Sequence, residues 1–226
     1  LKVIQQNSDI ELRGVRECMN LKSPHLVTIF DVKTPANGPP FVIMEYIAGP
    51  SLRDVMRDSP NGVGLARAAF IVREIGTGLA YLHDNGLVHR DLKPENIFYE
   101  SPFIKIGDYG LAKSMSVSRH SGQTISVGTV HYMAPEVGSG NYSRGVDIYS
   151  LGIMFYELLT GNVPFDGESM AEILMKHLTE APDLSKIEPE LRPVLEKALA
   201  KDPNERYSHV SDFVAALLAV PGVGDQ

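Results

Sequence analysis

One cysteine, Cys18, stands among 226 residues. No disulfide can therefore close within the chain, and a reducing compartment, the cytoplasm, is the simpler setting. No apolar run reaches the ~18–20 residues that a membrane-spanning helix needs. Any membrane anchor of a parent protein is expected outside this segment. The first residues, Leu1-Lys2-Val3-Ile4, lack a methionine and the charged and apolar zones of a signal peptide. They read as the middle of a strand, and so as the start of a fragment. Positive charge is in short supply as well: 21 Lys and Arg face 28 Asp and Glu, a formal net charge of −7. That balance argues against a nucleic-acid-binding face but leaves room for a local basic cleft that takes phosphates. Internal repeats and low-complexity tracts are absent too.

What is present is the mixture of an ordinary globular protein, 43% hydrophobic and 22% charged. The length can bury a sizeable core in one large domain or two small ones. Two textures divide the chain. Residues 1–44 hold short apolar runs, Leu1–Ile4, Leu26–Val32 and Phe41–Met44, which read as strands, with a helix near Ile10–Leu21. Asn37-Gly38-Pro39-Pro40 signals a turn between the last two strands. From Ser51 onward helices dominate. Ala68, Ile71, Val72, Ile75, Leu79 and Leu82 repeat at helical spacing up to Gly86, and Ile148, Leu151, Phe155 and Leu158 do so up to Gly161. Further helices are predicted around Ile173–Leu178, Val194–Leu199 and Val210–Leu218.

The chemistry is concentrated in His89-Arg90-Asp91-Leu92-Lys93-Pro94-Glu95-Asn96, followed by Asp108-Tyr109-Gly110 and then Ala134-Pro135-Glu136. One loop system thus carries a carboxylate base, a cation and two hard oxygen donors of the kind Mg²⁺ prefers. In order and approximate spacing these strings resemble the catalytic core of a eukaryotic-type serine/threonine protein kinase. The resemblance runs from Lys2 to Leu218. It implies a two-lobed α+β fold, with a partial small lobe at 1–44, a hinge at 45–49 and a mainly helical large lobe at 50–226. Transfer of a γ-phosphoryl group asks the protein mainly for positioning and charge stabilisation. On that template Asp91 is the base for a substrate hydroxyl, Lys93 meets the γ-phosphate, and Asn96 and Asp108 hold Mg²⁺, with Mn²⁺ as a substitute.

The resemblance makes Asp108 through Glu136 an activation segment. Thr124 and Ser126 are the expected regulatory phosphorylation sites, and Arg90 is the expected partner of the added phosphate. Thr129 matches the threonine that bonds the catalytic Asp and Lys in serine/threonine kinases, so Ser/Thr hydroxyls of proteins are the expected acceptors. Glu136 is expected to pair with Arg206 and Asp147 to brace the catalytic loop, while His89 has a packing role. Tyr109 departs from the usual Phe and needs a partner for its hydroxyl.

On the nucleotide side, Val42-Ile43-Met44-Glu45-Tyr46-Ile47 resembles the strand entering the hinge. Met44 would be the gatekeeper, backbone groups of Glu45 and Ile47 would face adenine, and Phe98 would lie under the base. Lys2 fits the lysine of the α/β-phosphates, with Glu11 favoured as its ion-pair partner and Glu17 the other candidate on that helix. No Gly-x-Gly-x-x-Gly precedes Lys2, so the isolated chain is expected to bind ATP weakly and turn over little. The stretches Lys176-His177-Leu178 and Leu199 to Tyr207 look like bacterial members of the family. Self-association for trans-autophosphorylation fits such a kinase. The rival reading is a pseudokinase or scaffolding module, whose usual mark is loss of the base, the lysine or the metal aspartate.

Overall fold

The computed structural model describes residues 2–3, 8–109, 113–114, 127–140 and 142–224, with the side chains of 8–11, 113, 114 and 127 left out. The N-terminal part is an antiparallel sheet of β1 (Lys2–Val3), β2 (Ile29–Lys33) and β3 (Phe41–Met44) in the order β1-β3-β2. Lys2 lies opposite Val42, and Ile29 opposite Met44, with a bulge between Ile29 and Asp31. Helix α1 (Ser8–Cys18) buries Leu12, Val15 and Cys18.

The expected strand at Leu26–Val32 begins later than its apolar pattern suggests. Residues 25–27 pair elsewhere: Ile106 N–H donates to His25 O (2.8 Å) and Val27 N–H to Ile106 O (2.9 Å). An apolar run thus serves two partners, and its first half ties the small sheet to the hairpin of β5 (Ile97–Glu100) and β6 (Phe103–Ile106). Beyond β3 the chain also fastens to this hairpin, since Tyr99 N–H donates to Pro50 O (3.0 Å).

The rest is helical. Its elements are α2 (Leu52–Arg57), α3 (Leu65–Asp84), α4 (Val127–Val130), α5 (Gly145–Thr160), α6 (Met170–Thr179), α7 (Arg192–Ala198) and α8 (Val210–Leu218). A two-stranded ribbon, β4 (Leu87–Val88) with β7 (Lys113–Ser114), lies beside the loop that follows α3. Helix α5 is apolar on every side, as a helix enclosed by others must be: Ile148, Tyr149, Leu151, Ile153, Met154, Phe155 and Leu158 are all fully buried. It stops at Gly161, whose φ of 76° is left-handed and whose Cα lies so near Pro60 O that a Cβ would come within 2.0 Å. Around it pack α3 and α7, and α8 closes over α3, with Phe213 stacked on Tyr207 at 5.4 Å. Small sheets beside a helical body make the fold α+β. The sequence reading did not contain α2, whose start carries a capping box between Ser51 and Asp54.

Candidate active site

Asp147, in the first turn of α5, fixes the loop after β4. Its carboxylate accepts the N–H groups of His89 (2.8 Å) and Arg90 (2.9 Å) and meets His83 Nε2 at 2.8 Å. Burial by itself would raise the Asp147 pKa; the His83 contact and the backbone donors outweigh it and hold the group below the usual carboxylate range. Two residues of these strings, Arg90 at φ 71° and Asp108 at φ 57°, have left-handed backbone without being glycine. His89 is fully buried, and its ring spans two strings of the motif: Nδ1 accepts Asp91 N–H (3.3 Å) and Nε2 donates to Gly107 O (2.9 Å).

Around Asp91 the side chains interlock. Lys93 Nζ lies 3.1 Å from Asp91 Oδ2 and donates to Thr129 Oγ1 at 2.8 Å. Asn96 Nδ2 donates to Asp91 O (2.8 Å) and more weakly to Oδ2 (3.4 Å). Asp91 Oδ1 is buried and makes no hydrogen bond, so one carboxylate oxygen remains an uncommitted acceptor. Asn96 holds the Asp108 string through its backbone, accepting Gly107 N–H at 2.7 Å. The Asn96 amide nitrogen is directed to Asp91, which leaves its Oδ1 as a candidate ligand. Together with the Asp108 carboxylate it could hold a hard divalent ion such as Mg²⁺. Among the described residues no cluster of three or more His, Cys, Asp or Glu could form a separate metal cage.

Lys2 Nζ reaches Asp108 Oδ1 at 2.6 Å. The Glu11 side chain lies outside the described residues, and with it the expected Lys2–Glu11 pair. Glu45 is anchored twice: its N–H goes to Thr28 O (2.8 Å), and its carboxylate takes Lys105 Nζ (2.6 Å) and Thr28 N–H (3.0 Å). Of its backbone groups the carbonyl therefore stays the candidate for adenine, which narrows the sequence reading. Met44 and Ile47 are half-buried on either side of it. The Phe98 ring covers Gly107, where a Cβ would approach Cε2 to 2.8 Å.

Tyr109 is buried, and its hydroxyl donates to Val27 O, the partner the sequence could not name. Burial pushes its pKa up, so it stays a donor. Tyr109→Phe should leave the Val27 carbonyl short of a partner and lower stability by ~1 kcal/mol. Chemical denaturation measures this, and an unchanged midpoint would show the bond to be idle.

Arg90 stacks over the Tyr142 ring at 4.3 Å, with Nε and Nη2 buried and unbonded. Burial lowers its pKa. Thr124 and Ser126 lie outside the described residues. The Glu136–Arg206 pair is bidentate at 2.6 and 2.8 Å. The sequence missed Arg53, which joins Glu95, Glu157 and Tyr132.

Residues 2–218 match the family model for the protein kinase domain. The chain belongs to this family. The kinase domain is 33% identical over 223 residues to a probable serine/threonine-protein kinase, CPE1738, of Clostridium perfringens, covering 94% of this chain and 32% of that protein. It is 37% identical over 226 residues to serine/threonine-protein kinase PknB of Mycolicibacterium smegmatis (92% and 36%) and 36% over 211 residues to PrkC of Bacillus subtilis (90% and 32%). It thus spans about a third of the length of these curated relatives. Among the described residues no helix is long and apolar enough to cross a membrane.

Proposed function

We propose that this kinase domain, within its full-length protein, transfers the γ-phosphoryl group of ATP to Ser or Thr hydroxyls of protein substrates in the cytoplasm. The observation that carries the reading is Lys93 Nζ set between Asp91 (3.1 Å) and Thr129 (2.8 Å). The Asp91 carboxylate orients the acceptor hydroxyl and takes its proton. Lys93 stands beside it to meet charge on the transferring group. Mg²⁺, held by Asn96 and Asp108, would offset the charge of the triphosphate. Lys2, 2.6 Å from Asp108 Oδ1, is assigned to the same phosphates, and Met44, the Glu45 carbonyl, Ile47 and Phe98 are assigned to the base.

Regulation by phosphorylation of Thr124 or Ser126 fits Arg90, whose two unbonded guanidinium nitrogens suit a phosphate. A pseudokinase would be expected to lack one of the four side chains that phosphoryl transfer calls for, and the sequence has all four, Asp91, Lys93, Asn96 and Asp108. The full-length protein, given labelled ATP, Mg²⁺ and peptides bearing Ser, Thr or Tyr, should label the first two, and site mapping should find Thr124 or Ser126 modified. Label on Tyr alone, or none on any peptide, would overturn the reading.

A further inference from the structure

Arg53, in the first turn of α2, sends each of its three guanidinium nitrogens to a different segment. Nε meets Glu95 Oε1 at 2.8 Å, and Glu95 is the neighbour of Asn96 in the tight turn Pro94–Asn96. Nη1 meets Glu157 Oε1 of α5 at 2.8 Å. Nη2 donates to the Tyr132 hydroxyl, which in turn donates to Glu157 Oε2 at 2.5 Å. Tyr132 stands three residues beyond Thr129, and its carbonyl is pinned by Ser150 Oγ at 2.7 Å.

Two carboxylates and a phenol thus close on one planar cation. Burial would lower the Arg53 pKa, but the facing Tyr132, Glu157 and Glu95 raise it on balance, so the cation is permanent. Lysine, with its charge at one point, cannot serve three partners in a plane.

We propose that Arg53 is a positioning residue for phosphoryl transfer: it sets the turn carrying Asn96 and the segment carrying Thr129 at fixed places on α5. Lys93 immediately precedes that turn and Thr129 lies on the other segment, so the 2.8 Å contact between Lys93 and Thr129 depends on the spacing of the two pieces. This inference rests on the kinase reading above. A cavity of about 390 Å³ lined by Arg53, Met56 and Glu157 opens beside the cluster. It has room for a free guanidinium ion.

In the full-length protein, Arg53→Lys keeps a cation by Glu157 and tests position without removing charge. Its kcat should fall about 10- to 100-fold, the scale of a small misplacement, with the KM for ATP within about twofold and the far-ultraviolet circular dichroism unchanged. Arg53→Ala should lose at least as much and regain several-fold of its kcat when methylguanidinium is added. A folded Arg53→Lys protein with wild-type kcat would overturn the proposal, as would a loss confined to KM. So would an Arg53→Lys protein that fails to fold, since the role would then be structural. An inert wild-type protein would instead defeat the kinase reading underneath, and this inference with it.

Discussion

Asp91→Asn should lower kcat by roughly 10²–10⁴-fold, the usual contribution of a positioned general base, while ATP affinity and melting temperature stay near wild type. The two carboxylate oxygens have different surroundings. Oδ2 faces Lys93 at 3.1 Å and Asn96 at 3.4 Å, both donors, and Oδ1 is buried with no hydrogen bond. An asparagine offers one oxygen and one NH₂. Placing the NH₂ toward Lys93 and Asn96 sets donors against donors, so the amide should turn its oxygen that way. Its NH₂ then occupies the Oδ1 position, and at either position an amide cannot take the proton of a substrate hydroxyl. The fold should scarcely notice, because the loop is held by Asp147 through the backbone of residues 89 and 90. Single-turnover kinetics with saturating Mg-ATP, paired with calorimetric ATP binding, separates chemistry from affinity. A variant within tenfold of wild type would remove Asp91 from the proton transfer.

How far the sequence foretold this site depends on the distance over which each contact acts. Asp91, Lys93 and Asn96 lie within six residues, and the turn that brings them together is written in the same string. Helix α5 was equally legible, because its apolar residues recur at helical spacing. Val210–Leu218 was predicted with the bounds that α8 shows. The Glu136–Arg206 pair, 70 residues apart, was legible only through resemblance, since no local pattern links the two. Contacts lacking both a local string and a family template stayed hidden. The Tyr109 hydroxyl finds a carbonyl 82 residues away. Arg53 finds partners 42, 79 and 104 residues away, and nothing near residue 53 announces them. The Ser51–Asp54 cap was a readable signal for the helix that presents Arg53, though not for its partners. Residues 25–27 misled for a related reason: an apolar run shows that a strand is buried, not which neighbour it pairs with.

Arg206→Met should destabilise the protein by ~3–5 kcal/mol, the range for breaking a buried ion pair from one side. The Arg206 side chain is wholly enclosed and that of Glu136 nearly so, at 0% and 9% exposure. Its guanidinium also binds Ala200 O (2.7 Å), Gly145 O (3.0 Å) and Lys201 O (3.1 Å), and lies over the Tyr149 ring at 4.7 Å. Methionine fills similar space but strands a carboxylate and leaves three carbonyls short of a donor. Glu136→Gln removes less, because the arginine keeps those carbonyls and its ring contact, so it should cost clearly less than Arg206→Met. In the double variant the stranded carboxylate is gone, and its loss should fall short of the summed single losses by more than ~1 kcal/mol, as coupled neighbours do. At ~2–4 °C per kcal/mol for a domain of this size, the Arg206→Met midpoint should drop roughly 6–20 °C. A midpoint within 2 °C of wild type, or strict additivity in the double variant, would mean that the pair does not tie the end of the segment to the helical core. Because Glu136 follows Thr129 by seven residues, a loosened pair should also lower kcat below the melting transition. That loss should track the Lys93–Thr129 contact rather than ATP affinity.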